Sequence, residues 1–482
     1  MTDTATPTSG QPGGQPGGKS GGVISDFGID TTAKSTGEAI NDYVARLRGG
    51  ELGSLPALLG LAVLVAYFAV NSDYFLTLDN LSNLFAQGAG KIIIAMGLVF
   101  VLLLGEIDLS AGTASGVCAS VMALHLVQSG NLLGGMSGSA YYAFVAGLAV
   151  ATGLALLMRI WAGAVFSGLG LLISVSGLGA NPWLEMLLAI CVGAAIGCIT
   201  GFLVSRVGMP SFVVTLALFI SWQGVILAFI GSRGTIGIGS GVLFDVANGN
   251  LSVGGSWLLC AIAVLGYAAV VGGDHLLRLR RGLVTQPSPL VAGRIGVIAL
   301  IAVLATFAFN VNRSPNNNIV IEGIPFVVPI VLMLMVLGTY VLNRTRYGRH
   351  IYAIGGNAEA ARRAGINVSK IRASVFVVSS SVAAIGAIVY TSKVGSVDPQ
   401  AGGLNTLLFA VGAAVIGGTS LFGGRGKVVH AVIGGLVLAV VENGLGLLKY
   451  SAANVSIITG LVLLLAASVD ALSRRRVARA AG

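Results

Sequence analysis

Apolar runs of 14 to 21 residues recur along the chain from Leu55 to Val469, joined by short polar segments. A helix of about 20 residues crosses a hydrocarbon layer about 30 Å thick, and in lipid every backbone N–H and C=O must be satisfied within the chain. These two facts leave one fold class: an all-α, polytopic transmembrane helical bundle of about 12 to 14 spans. The expected spans are 55–70, 84–104, 111–127, 141–158, 162–180, 184–204, 211–230, 256–271, 291–309, 325–342, 373–390, 404–421, 428–441 and 455–469.

Composition agrees with lipid as the solvent. Hydrophobic residues make up 55% of the 482, charged residues 10%, and mean hydropathy is +0.90. The net charge of +10 would fit a nucleic-acid partner if the basic residues were clustered. They lie instead at the ends of spans, so nucleic acid is excluded as a partner. With both termini cytoplasmic, 23 of the 28 Lys and Arg fall in inside segments, the asymmetry that orients membrane proteins. The outside set is then Lys91, Arg233, Arg313, Lys393 and Lys449, one per segment.

Residues 1–52 are rich in Gly, Pro, Ser and Thr and hold too little apolar material to offset ordering, so they are expected to form a disordered cytoplasmic tail. Residues 53–473 form the membrane domain, and 474–482 a basic cytoplasmic tail. Gly13, Gly18, Lys19 and Ser20 match a phosphate-loop pattern, but no strand precedes them and Pro16 interrupts the segment. ATP binding by this chain is therefore not expected. Cys118, Cys191, Cys198 and Cys260 all lie in apolar segments, as small buried hydrophobes do. His125, His275, His350 and His430 lack metal-ligand spacing, and no catalytic constellation stands out. The expectation is a chain with no enzyme activity, metal or cofactor of its own.

Three polar, glycine-rich interruptions remain. Gly105-Glu106-Ile107-Asp108-Leu109-Ser110-Ala111-Gly112-Thr113 can end one helix at Gly105 and cap the next with Asp108 or Ser110. Two carboxylates so close to the membrane also suit an interior functional position. The longest inside loop, 343–372, contains Asn357, which can cap a short helix that Gly365 ends, exposing Glu359, Arg362 and Arg363. Such a helix below the membrane suits docking of a soluble partner, although basic residues there also fix topology. Ile416-Gly417-Gly418-Thr419-Ser420-Leu421-Phe422-Gly423-Gly424-Arg425-Gly426-Lys427 reads as a flexible inside joint. Gly193, Gly197 and Gly201 recur every four residues, a stripe that lets another helix approach closely.

In this order, and with Val441-Glu442-Asn443-Gly444 following, the three segments resemble the permease subunits of ribose- and xylose-type ABC sugar importers. The likeness covers the chain from about Phe75 onward. Gly208-Met209-Pro210-Ser211-Phe212-Val213-Val214-Thr215-Leu216 and the basic loop from Arg278 to Arg294 extend it to the xylose type in particular. Ala111 and Thr113 depart from the family's usual Val and Ser, and residues 141–180 read as an additional helix pair.

The resemblance implies a bacterial inner-membrane permease for xylose or a similar monosaccharide, acting as a homodimer. A separate cytoplasmic ATPase would drive it and an extracytoplasmic sugar-binding protein would supply it, with lipid as its surroundings. Carried onto this sequence, the loop motif assigns ATPase coupling to Asn357, Glu359, Ala360, Arg362, Arg363 and Gly365. Polar residues at expected membrane depth, Asp108, Ser110, Thr215, Gln223 and Asn443, together with Trp222 as a stacking surface, are candidates for the sugar path. Such residues more often bond neighbouring helices. A self-sufficient ion-coupled transporter is the rival reading, and it would need coupling carboxylates inside spans.

Overall fold

A computed structural model describes residues 53–480 apart from 240, 284, 315–317 and 319, together with the isolated residue 37. The expected tail over residues 1–52 thus lies, residue 37 aside, outside the described residues. Among the described residues the chain forms eighteen α-helices and one two-residue ladder, Ile236–Gly237 (β1) antiparallel to Ser396–Val397 (β2). First come α1 (Leu55–Asn71), α2 (Leu78–Leu103), α3 (Ala111–Val127) and the single turn α4 (Leu132–Gly135). They are followed by α5 (Gly138–Leu157), α6 (Trp161–Ser176), α7 (Pro182–Phe202), α8 (Ser211–Ile230) and the short α9 (Val242–Asn248). The hairpin α10 (Val253–Arg280) and α11 (Ser288–Phe309) precedes α12 (Val327–Arg344), α13 (Arg346–Gly356) and α14 (Ala358–Arg363). Then α15 (Val368–Val394), α16 (Leu404–Ile416), α17 (Val428–Leu447) and α18 (Ala452–Ala480) complete the described chain.

Nine of these helices are long and apolar enough to cross a membrane, and five shorter ones are apolar throughout. Each expected span coincides with one of them. Polar residues in the joints start the helices by accepting first-turn amides, as Thr77, Ser137, Asn181, Ser252 and Asn367 do.

At the centre, α15 is sandwiched between α2 and α7. The glycine stripe of α7 makes one contact: Cβ atoms at Gly193 and Gly201 would lie 2.6 Å from Ser380 O and 2.7 Å from Ala373 O. On the opposite face, Gly90 and Gly97 of α2 approach Gly386 O and Ser379 O as closely, at 2.8 Å each. Lipid supplies no hydrophobic force between helices, so backbone proximity and dense packing hold these crossings together. The pair α5–α6 packs on itself and on α7, where Gly163 meets Cys198 and Gly170 meets Cys191. Thr152 Oγ1 donates to Ser167 Oγ at 3.1 Å between the two helices.

Two sequence expectations need correction. The span expected over 404–421 ends at Ile416, because Gly417 is pressed against the His430 backbone and Gly418 turns left-handed at φ +107°. Thirteen residues rise only ~20 Å, short of a membrane crossing. Lys91, expected outside, lies in the middle of α2, where it pairs with Glu442 of α17 at 2.8 Å and sits 4.7 Å from the Phe409 ring. The pairing leaves no local sign in the sequence, because Glu442 lies 351 residues away.

Candidate functional site

The 343–372 loop folds as two helices, α13 after an elbow at Thr345 and α14 after a break at Asn357. The Thr345 hydroxyl accepts from Gly348 N at 3.2 Å to start α13, and Gly348 packs where a Cβ would overlap the Leu342 backbone. Ile351 and Ile354 bury one face of α13, Tyr347 OH lies 2.9 Å from Ser374 Oγ, and Tyr352 OH donates to Gly426 O at 2.8 Å. Next, Asn357 Oδ1 accepts from Ala360 N at 2.9 Å and opens α14. Gly365, at φ +85°, lets its amide reach Arg362 O at 2.9 Å and ends the helix, a conformation that a Cβ would strain. Ala361 is the buried residue of α14. Ala360 lies in its first turn, while Glu359, Arg362 and Arg363 point outward, with Glu359 3.5 Å from Arg362 and 3.3 Å from Arg363. These pairs are exposed and stabilise the fold little, so the charges remain free to meet a partner.

All three glycine-rich interruptions converge at the end of α13, just before α14. Gly424 N donates to Leu103 O at 2.9 Å, a Cβ at Gly355 would overlap that same oxygen, and one at Gly423 would lie 2.8 Å from Gly105 N. Chain segments separated by up to 321 residues (Leu103 to Gly424) therefore touch backbone to backbone at one junction. Spacing in sequence carries no signal of this contact.

The 104–110 joint is locked in place by two helices, α8 and α15. Glu106 pairs with Arg372 at 2.7 Å, Ser211 Oγ accepts from Ile107 N at 3.2 Å, and Thr215 Oγ1 donates to Ile107 O at 3.1 Å. Asp108 is 1% exposed and accepts from Ser110 N at 3.0 Å and Ser110 Oγ at 2.7 Å, with Ser379 Oγ 3.5 Å away. Burial raises its carboxyl above the ordinary 3.8, against the hydrogen bonds from Ser110, Ser379 and the Ala111 amide. A raised folded value favours the protonated acid, so this group's contribution is complete below pH 3.8 and is lost as pH rises through the raised value. Replacing Asp108 with Asn keeps the acceptor and removes the charge. Thermal melting of Asp108→Asn is expected to lose this pH dependence, whereas Asp108→Ala, lacking the cap, melts earlier at every pH by about 1 kcal/mol.

Of the six sugar-path candidates, the structure brings together Asp108, Ser110 and Thr215, all spent on the joint. Gln223 Nε2 donates to Pro399 O at 2.6 Å. Asn443 and Asn80 exchange two amide hydrogen bonds, at 2.9 and 3.0 Å, between α17 and α2. Trp222 stands on the wall of an apolar cavity. The six thus occupy four separate settings. The sequence reading missed Glu106–Arg372 and Lys91–Glu442, whose partners lie on distant helices.

A stack of apolar helices, nine of them among the described residues long enough to cross a membrane, defines a polytopic membrane protein. A family model for the permease component of branched-chain amino acid transport systems matches residues 80–467, and the chain belongs to that family. It is 31% identical over 422 residues to the xylose transport system permease protein of Haemophilus influenzae, covering 87% of this chain and 96% of that one. Identity to the ribose import permease protein of Escherichia coli is 27% over 414 residues, covering 86% and 92% of the two chains. Against the D-allose transport system permease protein of the same organism it is 26% over 415 residues, covering 86% and 90%. No solved structure matches the chain. It is a multi-pass inner-membrane protein and the permease subunit of an ABC importer, a role whose family membership implies a partner ATPase and a binding protein.

Proposed function

We propose that the chain carries xylose or a similar monosaccharide across the inner membrane as one of two identical permease subunits, powered by a separate ATPase. The observation that carries the sugar reading is the 31% identity to a xylose permease along nearly its whole length. The domain layout follows: 53–473 is the permease, 343–372 its coupling segment, and 1–52 and 474–482 are cytoplasmic tails. Here α14 docks the ATPase through Glu359, Arg362 and Arg363, while Asn357, Ala360 and Gly365 hold its shape. The convergence at Gly355, at the end of α13 next to α14, supports this role, because movement of α14 would reach α2 and the α16–α17 joint through it. Two discrete packings of those helices would alternate access.

Exchanging the charges, Glu359→Arg with Arg362→Glu, is expected to abolish ATPase association in a pull-down while leaving membrane insertion and melting unchanged. Undiminished association overturns the docking assignment. Sugar uptake into vesicles, with and without the ATPase and ATP, tests the whole reading, and uptake by this chain alone on an ion gradient would refute it. The span carboxylates Glu442 and Glu185 offer the rival little support, since Lys91 already neutralises the first and His125 pairs with the second.

A further inference from the structure

We propose that the cavity between α5, α7 and α8 is a binding site for one lipid acyl chain. Its volume is about 200 Å³, and Val117, Phe144, Gly147, Val192, Trp222 and Phe229 are among its apolar lining. An apolar cavity of ~150 Å³ already stays dry and takes up apolar guests, so this one excludes water and rejects a hydroxyl-rich sugar. The Trp222 indole N–H agrees with a dry site, being buried with no hydrogen-bond partner among the described residues.

The occupant follows from place and shape. The cavity lies beside the middle of α7 and the second half of α8, both long enough to cross the membrane, so hydrocarbon is its surrounding medium. Ala143 and Ala228 line it while remaining exposed, which leaves it open at the protein's side. A second helix, about 10 Å or more across with its side chains, is too wide for this space, whereas a single methylene chain is narrow enough. Gly147 marks the entry: a Cβ there would meet no atom within 4 Å. The additional helix pair therefore builds a lipid-holding wall against the permease body, through α5.

Tryptophan fluorescence tests this directly. Trp161, Trp183 and Trp257 are exposed, so replacing all three with Phe leaves Trp222 as the sole reporter in the folded full chain. In vesicles of phospholipid brominated near the middle of the acyl chain, Trp222 is expected to lose most of its fluorescence relative to unbrominated lipid. Gly147→Leu in the same background fills the cavity and should restore most of it. Ala143→Leu, at the exposed edge, provides the same test should Gly147→Leu fail to elute as a single species. Absence of quenching by brominated lipid overturns the proposal, as does equal quenching in the filled variants, which would mean that bromine reaches the indole from outside the cavity.

Discussion

Alanine at Gly355 is expected to disconnect transport from ATP hydrolysis. The added methyl group would overlap Leu103 O and lie 2.7 Å from Gly424 N, both backbone atoms that no rotamer change can move aside. Overpacking of this kind costs about 1–3 kcal/mol. If about 2 kcal/mol falls on one of the two packings of the junction, the population able to turn over drops roughly thirtyfold. Sugar uptake in vesicles should fall accordingly, while ATPase association persists because the outward face of α14 is untouched. The neighbouring Gly356 is the control: a Cβ there meets no atom within 4 Å, and Gly356→Ala should transport normally. Normal uptake by Gly355→Ala would show that the junction is not on the coupling route.

The second large effect concerns Lys91 and Glu442. Glu442→Ala leaves a Lys91 ammonium with 14% side-chain exposure, 4.7 Å from a phenyl ring and without its carboxylate. Breaking such a pair from one side costs about 3 kcal/mol. Thermal melting in detergent should shift down by several degrees. Removing both charges together, Lys91→Met with Glu442→Leu, should recover most of the loss, since paired charges in an apolar interior gain little over well-packed hydrophobes. A double variant as unstable as Glu442→Ala would show that the pair itself, and not the abandoned cation, sets the stability of the α2–α17 crossing.

These two sites mark the boundary of what the sequence makes legible. Apolar run length locates the apolar helices, because lipid imposes the same demand on each one independently of its neighbours. The limits of α14 were equally readable, since Asn357 and Gly365 act on amides within three or four residues. Boundaries failed where tertiary contact decides them, as at Ile416, where the chain stops against the His430 backbone. The junction and the Lys91–Glu442 pair were illegible for the same reason. Gly105, Gly355 and Gly423 look like ordinary loop glycines until the chain is folded, and one sequence contains no record of what meets them. For the sugar path, residue type alone misled: Asn443 and Gln223 are polar because other parts of the protein need their hydrogen bonds.

The elbow at Thr345, with Gly348 pressed against Leu342, joins α12 to α13 without an intervening linker. Side-chain contacts yield under load by changing rotamer, whereas backbone in contact with backbone has almost no compliance. If the ATPase bears on α14 as proposed, a push there would pass through the end of α13 at Gly355 to α12, α2 and the α16–α17 joint together. The stroke of this subunit would then be set by how far its ATPase moves, with little of that travel absorbed in between.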